Sequence, residues 1–176
     1  HRFRKRALPY LPEPGSRVLE IGFGTGRLHV TLAERFHMVM HGLDRAPGMA
    51  RLTRRRLLER DLEPRLCVGD AYHLPWPDAH FAAVLSTFAF SAFPDAGQAM
   101  DEMVRVLQPG GRLIIVDAGE AQNGNAMAHL LARLWEAIGD YIRDERPLME
   151  ARGLSVERED FGPCDCVHVV VGTTPN

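Results

Sequence analysis

Three glycines fall within five positions, Gly22, Gly24 and Gly26 of the stretch VLEIGFGTGRL (residues 18 to 28), and an acid, Glu20, stands two residues before the first of them. Glycine carries no Cβ, so a turn this dense in glycine lets the main chain approach a ligand more closely than other residues allow. Two further acids, Asp44 and Asp70, each follow a short apolar run. A carboxylate in such a place can accept hydrogen bonds from ribose hydroxyls. Glycines for close approach and carboxylates for hydroxyls point together to a nucleotide-like ligand.

The spacing narrows the choice. A dinucleotide fingerprint places its third glycine three positions after the second, and here Arg27 occupies that position. A phosphate-cradling loop uses a lysine, and none follows these glycines. The pattern is instead E-x-G-x-G-x-G.

Elements must hold these residues on one edge. Val18, Leu19 and Ile21 read as a buried strand, and Leu28, Val30, Leu32 and Ala33 suit a helix, so the glycines form a strand-to-helix turn. Strand-like runs lie near 17 to 21, 38 to 43, 65 to 69, 80 to 87, 112 to 117, 154 to 159 and 167 to 173. Helix signals fall between them: Thr25 to Arg35, Pro47 to Arg60, Ala96 to Leu107 behind an Asp95 cap, and Glu145 to Arg152 behind Asp144 with Gly153 as stop. Alternating elements predict a largely parallel sheet with helices on both faces. Ligands of such a sheet bind at the carboxyl ends of its strands. The last two strands are joined only by FGPCDC, too short for a helical crossover, so they should pair antiparallel. Pro109 to Gly111 reads as a turn into the fifth strand.

The 176 residues, 45% hydrophobic, predict one domain over 1–176. A formal charge of −2 supplies no global field for nucleic acid or anionic membrane. The local basic runs HRFRKR and RLTRRRLLER (51 to 60) read as solvated helix faces. Three cysteines, no secretory signal and no apolar run of membrane-spanning length predict a cytoplasmic protein. The chain opens on His1 inside a basic run, so residues are expected to precede it.

From about residue 17 to 117, four stretches in order, VLEIGFGTG, GLDRAPGM, GDAYHLPWPDAHFAAVLSTFAF and VRVLQPGGRLIIVD, resemble the class I S-adenosylmethionine-dependent methyltransferases. Within them the likeness is to the small-molecule group that acts on quinones and phospholipids. The resemblance implies a Rossmann-like, doubly wound α/β sheet of seven mostly parallel strands with an antiparallel last strand. It implies S-adenosyl-L-methionine as cofactor and S-adenosyl-L-homocysteine as product. Gly22, Gly24 and Gly26 would line the methionine half, Asp44 would hold the ribose, and Asp70 with the amide of Ala71 would read the adenine. Ser86 and Thr87 would close over the methionyl tail, Glu20 would orient the glycine loop or the amino group, and Phe23, Thr25, Arg45 and Met49 would complete the contacts. Carboxylates and aromatic faces such as Phe23 or Phe88 complement a sulfonium cation. Arg45 and Ala46 depart from the apolar residue and the serine that such families often carry.

The acceptor is less legible. STFAF lacks the Pro-Pro-aromatic run of base-amine methyltransferases, so nucleic acid is not expected as a partner. Pro163-Cys164 lies between the last two strands and reads as hairpin, and Cys164 with Cys166 supplies half of a structural zinc set, so no metal is expected. Residues 118–142 are read as the variable lid or acceptor segment. In it Met127, Leu130, Leu131, Leu134, Trp135 and Ile138 line one helix face, which either packs on the sheet or walls an apolar, lipid-like acceptor. Asp117, Glu120, His129, Asp140 and Tyr141 are the polar groups nearest by topology, and no catalytic base can be named among them. The expected reaction is in-line methyl displacement onto a small-molecule acceptor. A non-catalytic S-adenosylmethionine-binding module and, less favoured by the glycine spacing, a nicotinamide-dependent oxidoreductase are the alternatives.

Overall fold

The computed structural model describes residues 3–119, 133, 141–162 and 165–176. Seven strands form one sheet: β1 (Arg17–Ile21), β2 (Val39–Asp44), β3 (Arg65–Val68), β4 (Phe81–Thr87), β5 (Leu107–Ala118), β6 (Ser155–Phe161) and β7 (Val167–Thr173). Their order is β3-β2-β1-β4-β5-β7-β6. The five from β3 to β5 run parallel, and β7 pairs antiparallel with both β5 and β6. The doubly wound sheet and the antiparallel end are as expected from the alternation and from the short β6–β7 connection.

Among the described residues four α-helices cover the sheet: α1 (Arg27–Arg35), α2 (Pro47–Leu58), α3 (Ala96–Arg105) and α4 (Arg146–Glu150). The period of two along β1 divides its side chains between two cores. Val18 packs with Leu28 and Leu32 of α1 and with Ala7 of the N-terminal segment, while Leu19 and Ile21 pack with Met100 and Met103 of α3. Burial on both faces explains why the strand reads as a near-continuous apolar run.

The helix boundaries follow their local chemistry. Asp95 caps α3 by accepting from the amide of Gln98 at 2.9 Å, and Pro147 sits in the first turn of α4. Gly153, at φ 78°, lies just beyond that helix. Three expectations shift. The basic run at the start is a 3-10 helix over Phe3–Tyr10 with Pro9 inside it, not an α-helical face. The first helix begins at Arg27, because Gly24 and Gly26 lie at φ 53° and 70° and are not helical. Strand β5 starts at Leu107, five residues early, and the register slip between Phe81 and Ala83 of its partner absorbs the Pro109–Gly111 turn as an irregularity inside the strand.

Among the described residues no helix is long and apolar enough to cross a membrane. The apolar face from Met127 to Ile138, with Glu120, His129 and Asp140, lies outside the described residues, as do Pro163 and Cys164.

Candidate active site

Strand β1 lies between β2 and β4, so the chain moves outward through β2 and β3 and then returns to the other side of β1. Such a reversal opens a crevice at the carboxyl ends of the strands. A cavity of about 670 Å³ occupies it. Its floor is Ile21, Gly22 and Gly24 from the end of β1, Leu43, Asp44 and Arg45 from β2, and Val68 to Tyr72 from β3. The far wall is Phe88, Ala89, Ala92, Phe93 and Pro94, the chain leaving β4, and Arg4 of the N-terminal segment also lines the cavity.

Each glycine of the loop has its own reason. A Cβ on Gly22 would lie 2.4 Å from that of Ala89, and one on Gly26 would lie 2.4 Å from Thr53 of α2. At Gly24, by contrast, nothing stands within 4 Å of the Cβ position. Gly22 and Gly26 are therefore needed for packing, whereas Gly24 leaves open space beside the cavity. Helix α2 holds the loop from outside: Thr53 Oγ1 donates to the carbonyl of Gly24 at 3.1 Å, and Arg56 donates to the carbonyl of Thr25.

Asp44 is buried at the end of β2. Its Oδ2 accepts from the Gly24 amide at 2.7 Å and its Oδ1 from the Ala46 amide at 2.9 Å. Two bonds use half of a carboxylate's acceptor capacity, so the residue both shapes the loop and keeps lone pairs for a ligand. Asp70 is exposed, with Oδ1 accepting from the Tyr72 amide at 3.0 Å, and it presents its carboxylate at the β3 edge of the cavity beside buried Ala71.

Of the residues named from sequence, Gly22, Gly24, Asp44, Arg45, Asp70 and Ala71 line the cavity together. Glu20, Phe23, Thr25, Gly26, Met49, Ser86 and Thr87 are not in its lining. The three acids do not share one edge: Glu20 points with Val18 toward α1, because it stands two positions from Val18 and next to Ile21, and alternate residues of a strand face opposite ways. There it is 1% exposed and meets His29 Nδ1 at 3.1 Å, with Phe23 edge-on to the same imidazole. Ser86 and Thr87 are buried in β4, and the Ser86 hydroxyl has no partner among the described residues.

Asp117 is also buried, accepting from the amide and hydroxyl of Ser91 at 2.9 and 3.1 Å and from the Ala118 amide at 2.8 Å. Burial pushes its carboxyl above the usual range, and the charge of nearby Glu145 adds to the rise. Its bonds to Ser91 secure the short turn Phe90–Ala92, whose Ala92 belongs to the cavity wall. Tyr141, exposed, donates its amide to the Ser91 carbonyl at 2.7 Å, which ties the return of the 118–142 segment to the same turn.

Several contributors carried no sequence signal. Arg105 of α3 donates to the carbonyls of Leu74 and Trp76 and to Glu102 and Asp78, while Glu102 accepts from the Leu74 amide at 2.7 Å. The hydrogen bonds from Arg105 hold the Glu102 carboxyl below its usual range. This pair fixes the loop after β3 from behind. Phe88, at φ 53°, is the one cavity residue other than glycine in the left-handed region, and Arg4 lies over its ring at 5.7 Å. The aromatic density of STFAFSAF was the available hint of that wall. Among the described residues no three His, Cys, Asp or Glu side chains gather to hold a metal ion.

Residues 19–115 match the methyltransferase domain family. The demethylmenaquinone methyltransferase of Thermus thermophilus is 41% identical over 118 residues, covering 66% of this chain and 54% of that protein. The phosphatidylethanolamine N-methyltransferase of Cereibacter sphaeroides is 33% identical over 167 residues, covering 91% of this chain and 81% of the relative. The chain spans about half the length of the demethylmenaquinone methyltransferases it matches. The fold is similar to that of the YcgJ protein from Bacillus subtilis, with a TM-score of 0.83 at 17% identity over 100% of this chain and 99% of the other. It is also similar to Haemonchus contortus phosphoethanolamine N-methyltransferase 2, solved with S-adenosyl-L-methionine, with a TM-score of 0.79 at 16% identity over 99% of this chain and 53% of the other. With the family match covering more than half the sequence and a relative aligned along most of it, the chain belongs to the methyltransferase domain family.

Proposed function

We propose that the chain is an S-adenosylmethionine-dependent methyltransferase acting on an apolar, lipid-like small molecule. The observation that carries this reading is the convergence of Gly24, Asp44 and Asp70, from three different strand ends, on one cavity. The fit to the cofactor is good on three counts. Open space beside Gly24 admits a ligand against the main chain. Asp44 retains acceptor sites for vicinal hydroxyls. Asp70 and Ala71 stand at the far side for a purine edge.

When bound, the cofactor supplies a methyl group on a sulfonium, which an aligned acceptor takes by in-line displacement as a neutral thioether departs. The chain's own part is placement and exclusion of water. Phe88, Ala92, Phe93 and Pro94 give the acceptor side an apolar wall, and a dry, aligned site supplies much of the acceleration such a displacement needs. The open space beside Gly24 would let the cofactor approach the main chain, and Glu20 meets His29 of α1 beneath the loop. Relatives named for quinone and phospholipid acceptors support the choice of an apolar acceptor.

Calorimetric titration tests the reading. Both S-adenosyl-L-methionine and S-adenosyl-L-homocysteine should bind; binding of NADH with neither adenosyl ligand would overturn it.

A further inference from the structure

Between α1 and α2, outside the cavity, runs a second concavity of about 450 Å³. Among the described residues Lys5, Arg27, Arg35, Arg56 and Arg60 line it, with Glu34 as the single carboxylate. Glu34 lies 3.9 Å from Arg60, a distant and exposed pair that neutralises little of the charge. The asymmetry extends beyond the groove: residues 27 to 60 hold eight arginines and three carboxylates in a chain of formal charge −2. On a different side of α2, exposed Arg51, Arg54 and Arg55 stand around half-exposed Leu58 together with Glu59, which pairs with Arg55 at 3.5 Å. Like charges gathered in a hollow repel one another, and a merely solvated face has no need to converge them.

We propose that this α1–α2 face docks the protein on an anionic lipid bilayer. Arginine forks suit phosphate oxygens, and their aliphatic stems suit a headgroup boundary. Lys5 lines the groove and its neighbour Arg4 lines the cavity, over the Phe88 ring at 5.7 Å, so the first segment borders both. Nucleic acid is disfavoured because, among the described residues, the groove offers only Val30 and Thr31 beside its charged side chains, with no aromatic face for a base. The choice of a bilayer among polyanions rests on the apolar-acceptor reading; the docking itself does not depend on catalysis.

Co-sedimentation with vesicles tests it, using phosphatidylcholine alone and phosphatidylcholine with about 30% phosphatidylglycerol. The chain should sediment with the anionic vesicles only, and should be released as salt rises from about 0.1 M to about 0.5 M. The double variant Arg35→Glu/Arg60→Glu should weaken partitioning roughly tenfold or more, and Glu34→Gln should strengthen it. Both variants should keep the wild-type melting temperature and the calorimetric affinity for S-adenosyl-L-methionine, so a failed docking model and a failed methyl-donor model are told apart. Equal binding to both vesicle types, undiminished binding by the folded double variant, or retention on random-sequence RNA at salt that releases the vesicles would each overturn the proposal.

Discussion

The Gly24 amide donates to Asp44 Oδ2 at 2.7 Å, so the glycine loop leaving β1 and the acid ending β2 form one unit before any ligand arrives. Asp44 therefore cannot be assigned to either structure or binding alone. Asp44→Ala should lose two amide acceptors at a buried position, lowering stability by about 1–3 kcal/mol, and should weaken cofactor binding tenfold or more. Asp44→Asn, which keeps one carbonyl oxygen, separates the roles: its melting temperature should stay nearer wild type while its affinity still falls. Melting and calorimetry on both variants check this, and wild-type affinity in Asp44→Asn would remove the residue from the binding site.

Two neighbouring glycines should respond differently to alanine. Gly24 sits at φ 53° with open space at its Cβ, so Gly24→Ala should lower apo stability by only about 1 kcal/mol and should reduce the melting shift induced by S-adenosyl-L-homocysteine. Gly22→Ala, 2.4 Å from Ala89, should cost roughly 2 kcal/mol or more in the apo protein. An unchanged ligand-induced shift in Gly24→Ala would show that this glycine answers to backbone conformation only.

Arg105 should prove important for the site although it lies outside the cavity. Its guanidinium bonds the carbonyls of Leu74 and Trp76 and two carboxylates at once, a pattern lysine's single ammonium cannot reproduce. Arg105→Lys should lower stability by about 1–3 kcal/mol and loosen the Asp70–Tyr72 edge, seen as weaker adenosyl-ligand binding in calorimetry. Loss of stability with unchanged affinity would confine its role to folding.

His41 gives the protein an acid-sensitive component. Burial first, and then the positive charge of Arg65, holds its imidazole down to about 4, against an ordinary value of 6.5. The unfolded chain therefore binds more protons between those limits, and stability is lost as pH falls through that window. With partial exposure screening the effect, the loss should be on the order of 1–2 kcal/mol. Urea melts of wild type and His41→Gln from pH 7 to about pH 4 check it: the variant's stability should fall less steeply over that range.

Much of this architecture was legible in the residues alone. Alternation of apolar runs with capped helices specified a mostly parallel sheet, since periodicity and caps are local properties that survive without knowledge of the partners. Gly22, Gly24, Asp44 and Asp70 were likewise found by type and place, because a strand end next to a glycine turn or an acid is a one-dimensional pattern. What only the tertiary structure decided is who faces whom. Glu20 reads as a third site acid in sequence, yet strand alternation turns it toward His29 under α1. Thr53 occupies the space that the missing Cβ of Gly26 leaves, across 27 residues of chain. Arg105 reaches the loop after β3 from α3, and Arg4 reaches the cavity from the N-terminal segment. Arginines of α1, of α2 and of the turn after it become a single groove with Lys5 of the first segment only when these elements lie side by side. Contacts of this kind are set by packing between distant elements, and no local pattern in a single chain encodes which element will be the neighbour.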